Sequence, residues 1–453
     1  MAMDGDARTG ADICAEMLDA AKAAGAEAAD ALAIYSESLS ADVRAGGLEQ
    51  AERAEGVDVG IRVFVGRRQA TVSASDASSA TLRALAERAV AMARVAPDDP
   101  WCGLADPSHL TDRRDADGLD LADPAGPPEP AALETMAKEA EAAALAVDGV
   151  SQAEGAGASW SRRRIDLAAS NGFAGGYART ASGLYVSAIA GEGLGMERDF
   201  RGESRRYADE LPDAREIGRD AGERAVARLN PKRPPTGAFP VLYHERVASG
   251  LIGHLIGAAN GAAVARGSSW LKARMGEQML PKSLSVTERP LRVRGPASRP
   301  FDAEGLATRE TAFVQDGVLR SWVLDLASAR QLGLESTANA ARGPGGAPSP
   351  STTNLQLTQG EASFEDLMAR MGTGLLVTSL IGASINGNTG DYSRGASGFW
   401  VEGGEIVHPV NEITIAGNLN GMLASIMPAN DADPNRGAVV PSLLVEGLTV
   451  AGG

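Results

Sequence analysis

Cysteine is nearly absent from this chain: 453 residues hold two, Cys14 and Cys102, too far apart to suggest a disulfide framework. That excludes a bridged secreted scaffold and points to a reducing compartment. Basic charge is also short. Lys and Arg number 43 against 59 Asp and Glu, a formal net charge of −16. Nucleic acid is therefore not an expected partner, because phosphate binding needs a basic footprint. No apolar run reaches the roughly 20 residues of a membrane span. The nearest approach, residues 372–387, is broken by glycine and polar residues. Residues 1–17 show no basic segment leading into an apolar one, so no secretory signal is read there. The expected location is cytoplasmic, away from membranes.

What is present describes a globular chain, 44% hydrophobic and 23% charged. Its length exceeds one simple core and implies two domains. The expected fold class is α+β. An N-terminal α/β domain covers residues 1–229, a linker 230–237, and a β-rich C-terminal domain of curved-sheet or barrel-like form 238–453. Residues 11–24 place Ile13, Met17, Leu18 and Ala21 on one helical face, with Gly25 as the stop. Strands are expected at 31–37, 40–45, 57–65 and 68–74, followed by a helix at 78–95. Residues 96–130, rich in Pro and Asp, read as a long surface connection. The pattern then returns: helix 131–146, strands at 149–158, 161–169, 173–190 and 192–203, helix 214–229. Helix, four strands, helix appears twice, which suggests an internal duplication. Arg162, Arg163 and Arg164 read as charges guarding a strand edge.

The linker carries three prolines in eight residues. Beyond it, short alternating runs and Gly-rich turns predict a succession of strands. Asp316-Gly317 between two such runs predicts a hairpin. Ser363, with Asp366 three residues on, predicts a capped helix start. Asp431-Ala432-Asp433-Pro434-Asn435 imitates a calcium loop, but Arg436 and Ser442 stand where Gly and Glu are needed.

The most informative stretch is Ala248–Met279. Leu251, Ile252, Leu255 and Ile256 recur at helical spacing, and Gly253 and Gly257 leave a face slim enough for close packing. His254 lies mid-helix, on this pattern a packed histidine rather than a ligand. His244-Glu245 upstream imitates the start of a zinc motif. Ten residues of one helix separate two side chains by roughly 15 Å and about 280° of rotation. Two imidazoles so placed cannot share an ion whose bonds to nitrogen are about 2.0–2.1 Å long. His244 then reads as a surface residue and Glu245 as a first-turn acid facing the helix dipole.

With Arg266-Gly267-Ser268-Ser269 and Gly276-Glu277 downstream, this stretch resembles the TldD/PmbA family, which is linked to peptide processing. Further matches run through the C-terminal half. They are Phe301-Asp302-Ala303-Glu304-Gly305, the segment Ser336–Arg342 with Ala338 where Gly is usual, Gly390–Glu402 (GDYSRGASGFWVE), Ala416-Gly417-Asn418-Leu419 and Leu448–Gly452. The N-terminal half resembles the family in layout more than in motif. In the catalytic TldD branch the helix bears HExxxH. Here those positions read Ser249-Gly250-Leu251-Ile252-Gly253-His254, a pattern similar to the PmbA (TldE) branch, the partner subunit.

A catalytic zinc site needs three protein ligands, an open position for water and a carboxylate to take its proton. Ser249 is a poor ligand, Gly250 neither binds nor abstracts, and no late Cys completes the set. The resemblance therefore implies a non-catalytic subunit, without a cofactor of its own, in a heterodimeric zinc metallopeptidase. The TldD-type partner brings the zinc, and the pair acts on extended peptides in leader removal or in degradation of unfolded small proteins. Candidates for the peptide groove or the dimer interface are Asp302, Glu304, Asn339, Arg342, Asp391, Ser393, Arg394 and Ser397. Two alternatives stand beside this reading: a stand-alone homodimeric hydrolase using His254 with Asp302 or Glu304, and a peptide-binding scaffold. The alternate spacing of Asp302 and Glu304 puts both carboxylates on one strand face. They form either an acid/base pair or, as preferred here, loop anchors accepting main-chain N–H bonds.

Overall fold

The computed structural model describes residues 8–452; Met1–Ala7, part of the stretch read above for a signal, and Gly453 lie outside the described residues. Helix α1 (Gly10–Ala24) starts at a capping box of Thr9 and Asp12 and stops at Gly25, in the left-handed region at φ 97°. Strands β1 (Ala28–Arg44), β2 (Gly47–Val65) and β3 (Arg68–Ala74) follow, then α2 (Ser79–Val95). The order repeats as α3 (Pro130–Leu145), β4 (Val150–Ala169), β5 (Ala174–Ala190), β6 (Glu197–Arg205) and α4 (Ala214–Ala227). Each block holds three strands rather than the expected four, because β1 and β4 run unbroken through the predicted gaps. All six pair antiparallel in the order β3-β2-β1-β4-β5-β6. The two blocks thus meet at β1 and β4 with mirrored strand order.

Helices cover one face in two pairs. Helices α1 and α2 pack on Ala29, Ala31, Ala33, Val59, Ile61 and Val63. Helices α3 and α4 pack on Leu39, Ala41, Val43, Ala156, Ala158 and Trp160. Residues 34–38 and 161–165 fall between the pairs and remain partly open to solvent, which is why polar residues interrupt both long strands. This corrects the edge reading. Arg162, Arg163 and Arg164 are exposed, yet their strand is paired on both sides.

The 96–130 connection also departs from expectation. It is not a simple surface loop: Leu119 and Leu121 are buried with Leu32, Leu167, Phe173, Tyr177 and Phe301. Main-chain N–H groups of Gly176 and Thr180 donate to the carbonyls of Arg114 and Leu121, at 2.8 and 3.0 Å. Leucines between the prolines seat the segment between the sheet and the C-terminal part.

In that part, β7 (Gly237–Tyr243) pairs parallel with strand Gly374–Ile385 and antiparallel with Leu443–Gly452. Strands Asp391–Glu402 and Glu405–Asn418 continue the sheet, and the last pairs back onto Leu443–Gly452. Five strands thereby close a barrel, as the alternating texture implied. A second, curled sheet of five short strands includes the Thr311–Gln315 hairpin. Asp316 and Gly317 turn that hairpin with φ of 51° and 75°, both positive as the mirror-image turn requires. Helix α5 (Glu245–Ala258) buries Leu251, Ile252, Leu255 and Ile256 in the core shared with Leu375, Val377 and Tyr392. Among the described residues no helix is long and apolar enough to cross a membrane.

Asp30 joins the two parts. Its carboxylate accepts from Arg62 of β2 (2.8 and 2.5 Å) and from Arg342 of the C-terminal part. The Asp30 and Arg342 side chains are only 3% and 1% exposed. Nearby, Gly60 lies so close to the Pro344 carbonyl that a Cβ would overlap it. Replacing Asp30 with Ala strands two buried guanidinium groups without a counter-charge. Urea denaturation is expected to show a loss of about 3–5 kcal/mol; a change under about 1 kcal/mol, the range of a surface ion pair, would contradict this role.

Candidate functional site

Helix α5 is anchored at its first turn. The His244 ring accepts from the Arg246 N–H (3.3 Å), and the Ser442 hydroxyl accepts from the Glu245 N–H (2.9 Å) while donating to Asp431 at 2.7 Å. Asp431, in the segment that imitates a calcium loop, thus orients Ser442 toward the start of the helix. His244 is half-buried rather than on the surface. Burial, followed by the Arg246 charge, pushes its imidazole down to about 4.

Past this turn, α5 borders a cleft of about 950 Å³. Arg246, Ser249 and Gly250 form one wall, Thr378–Ile381 and Arg394 a second, and Tyr185, Phe200 and Arg228 of the N-terminal part a third. A Cβ at Gly250, Gly253 or Gly257 would meet nothing within 4 Å, and Gly253 and Gly257 are exposed. The slim helix face is therefore open, not closely packed within the chain as its glycines suggested. His254 stands edge-on to Tyr392, ring centroids 5.9 Å apart, and its Nε2 is buried without a hydrogen-bond partner. Burial first, then the Arg394 charge, lower its pKa.

The cleft's base is tied by charge. Asp199 of β6 accepts from Arg246 (2.5 Å) and Arg228 (3.5 Å), and Arg228 also donates to the Ser397 hydroxyl (2.9 Å). Burial pushes the Asp199 carboxyl up, but the hydrogen bond and charge of Arg246 outweigh it, so its pKa lies below the ordinary value. Nothing in the sequence joins Asp199 to Arg246, 47 positions away. These ties were missed because they exist only once the sheet docks on the barrel.

At the three motif positions α5 offers one imidazole (His254), one hydroxyl (Ser249) and a bare glycine (Gly250). That donor set does not fit a zinc site. Among the described residues no three His, Cys, Asp or Glu side chains gather to hold a metal ion.

The remaining predicted residues divide between two places. Arg394 lines the cleft and donates to the Gly382 carbonyl (2.7 Å). Ser393 lies near the start of its strand beside Ser384 and Ala416, and Asp391 is exposed, accepting from Thr389 and Asn418. Asp302, Glu304, Asn339 and Arg342 line no part of this cleft. Asp302 accepts from the N–H groups of Glu304, Leu306 and Ala340, and Glu304 from that of Leu326. The two acids sit in a turn closed by Gly305 at φ 80°, not along one strand face. Asn339 donates to Glu288 (3.0 and 2.8 Å), while Arg342 pairs with Asp30. Within this chain these four act mainly as internal ties away from the cleft, although Asn339 Oδ1 and two Arg342 nitrogens have no partner among the described residues. Ala338, where the family pattern has Gly, holds φ 58°, a conformation that favours glycine.

Family models described as PmbA/TldA metallopeptidase domain 1, central domain and C-terminal domain match residues 29–93, 123–229 and 236–452. The metalloprotease PmbA of Escherichia coli is 37% identical over 415 residues, 91% of this chain and 90% of that protein. The PmbA homolog of Haemophilus influenzae is 34% identical over 416 residues, with the same coverage of 91% and 90%. Among solved structures, a putative modulator of DNA gyrase from Bacteroides thetaiotaomicron superposes with TM-score 0.90 at 26% identity, covering 97% of this chain and 98% of that one. TldE from Thermococcus kodakarensis gives 0.85 at 20% identity, covering 97% and 100%, a likeness of fold.

The Asp302–Glu304 turn generates a pH prediction. Burial is the first cause pushing both carboxyls up, and at Glu304 the neighbouring Asp302 charge adds to it. The folded chain therefore keeps a proton that the unfolded chain releases above the ordinary carboxylate range. Unfolding then releases a proton, so raising the pH favours unfolding. Thermal stability is expected to decline from about pH 5 to about pH 8. Glu304→Gln keeps the acceptor for Leu326 and is expected to flatten that decline; melting curves of both proteins across the range check it.

Proposed function

This chain belongs to the PmbA/TldD metallopeptidase family, and from that premise we propose that it is the non-catalytic subunit of a heterodimeric zinc enzyme acting on extended peptides. The observation that carries the reading is the state of α5. Where the catalytic branch has an imidazole and a carboxylate, Ser249 and Gly250 border an open cleft, and the one retained imidazole, His254, has its Nε2 unpartnered. Among the described residues no carboxylate is hydrogen-bonded to that nitrogen to take a proton from water. The metal implied by the family has no donor set here, so no chemical step is assigned to this chain's residues.

What the chain contributes instead is enclosure. Tyr185, Phe200 and Ile381 are 47%, 59% and 68% exposed around the cleft, an apolar rim beside the cations Arg246 and Arg394. A zinc-bearing partner seated there completes a chamber from which water is excluded. A peptide in extended form adds main-chain hydrogen bonds to a sheet edge, giving affinity without strict sequence reading. Leader peptides and unfolded small proteins are the substrates this arrangement suits, and the cytoplasm is its setting. A homodimer is the alternative assembly when that partner is scarce.

Co-expression with a chain bearing intact HExxxH is expected to yield a stable one-to-one complex that cleaves unfolded peptides. The isolated subunit is expected neither to cleave nor to retain stoichiometric metal by elemental analysis. Hydrolysis by the isolated chain, together with bound metal that disappears in His254→Ala, would establish the stand-alone hydrolase in its place. Peptide binding with no partner-dependent cleavage would mark a scaffold.

A further inference from the structure

A separate cavity of about 830 Å³ lies between β5 and β6 on one side and residues 292–296 and 434–437 on the other. It shares no lining residue with the cleft beside α5. Five arginines line it, Arg205, Arg206, Arg292, Arg294 and Arg436, against a single carboxylate, Glu210. In a chain of net charge −16, this is a local reversal of sign. Carboxylates balance three of the five: Arg205 pairs with Glu203 (3.0 Å), Arg294 with Glu210 and Arg436 with Asp433 (3.1 Å).

The other two have no such balance. Arg206 donates to the carbonyls of Thr180, Gly295 and Pro296, and Arg292 to that of Arg436. Neither forms an ion pair among the described residues. Arg206 is only 8% exposed, and burial, then the Arg179 charge, draw its guanidinium down to about 10. A cation held away from water with only carbonyl dipoles around it is costly, and an anion placed in the cavity relieves that cost.

The walls narrow the choice of anion. Among the described residues no aromatic side chain lines the cavity, so a base or ring would meet guanidinium planes alone. Its volume lies in the range of pockets that hold ligands with several functional groups, about 300–1,000 Å³. Two sheet edges flank it: the end of β6, and the edge strand Ala438–Val439 that follows Gly437. Such edges present main-chain groups to an extended chain. We propose that this cavity binds a carboxylate-rich segment of an extended peptide, its Asp or Glu side chains meeting Arg292, Arg206 and Arg436. That the ligand is a peptide rests on the function proposed above; that it is polyanionic does not.

Fluorescence anisotropy on the isolated full chain tests this with a short labelled Glu-rich peptide, its Gln counterpart and tripolyphosphate. The Glu-rich peptide is expected to bind with an affinity that falls as salt is raised, and the Gln peptide at least about tenfold more weakly. Arg292→Glu and Arg436→Glu, checked for unchanged melting, are each expected to weaken binding by about tenfold or more. Arg53→Glu, far out on β2, is the control and leaves binding unchanged. Equal binding of the Glu and Gln peptides, or no effect of either cavity substitution, overturns the proposal. Binding of tripolyphosphate without the peptide overturns it too, in favour of a site for small polyphosphates. Because no partner is needed, capture of the Glu-rich peptide by a chain that assembles with no zinc subunit would count against the heterodimer alone.

Discussion

The N-terminal sheet and the barrel part meet at one junction, and at its centre stands a single buried carboxylate. Asp30 sits between Arg62 of its own sheet and Arg342 of the barrel part. Desolvating three charges is expensive, and the attraction offsets that expense only where geometry is fixed and hydrogen bonds are complete. Here they are nearly so: two Arg342 nitrogens remain without partners, and burial draws that guanidinium down despite the Asp30 charge. Asp199, with Arg246 and Arg228, provides a second tie at the β6 edge. Pinned at the centre and at one edge, the sheet cannot slide or tilt over the barrel. Both cavities are lined from both sides of this junction, so their widths depend on those two carboxylates.

Local chemistry was legible in the sequence wherever a turn or a helix end required a particular residue. Gly25, Ser363 and Asp316-Gly317 all act where they were read. Elements were misread where tertiary context overrides pattern. The polar midsections of β1 and β4 look like breaks because alternation fails there. They stay in the strands because each is hydrogen-bonded on both sides while the helix pairs above leave a gap. The 96–130 segment looked solvated from its prolines and aspartates, yet two of its leucines are buried with aromatic side chains beneath the sheet.

The candidate site was legible in part, and the division has a physical basis. A missing side chain is visible in any sequence, so Ser249 and Gly250 could be placed at once. A residue's destination is not. Arg342 and Arg394 both read as groove or interface candidates, but one is buried against Asp30 and the other borders a cleft. The arginine-lined cavity was beyond reach altogether, since its cations come from three separate segments, each balanced or isolated only by the fold.

The glycines of α5 bring these strands of argument together. Each glycine inside a helix costs roughly 1 kcal/mol relative to alanine, and α5 carries Gly250, Gly253 and Gly257 within 14 residues. Such a cost is ordinarily offset by close packing that a Cβ would prevent, as at Gly218, where a Cβ would overlap the Ala140 carbonyl. At the three α5 positions nothing among the described residues lies within 4 Å of an added Cβ. Alanine there would stabilise the isolated subunit without any clash, so stability of this chain alone does not account for the choice. A bare helix face beside an apolar rim leaves room for a second polypeptide to approach the α5 backbone closely, which is what the proposed heterodimer requires of this chain.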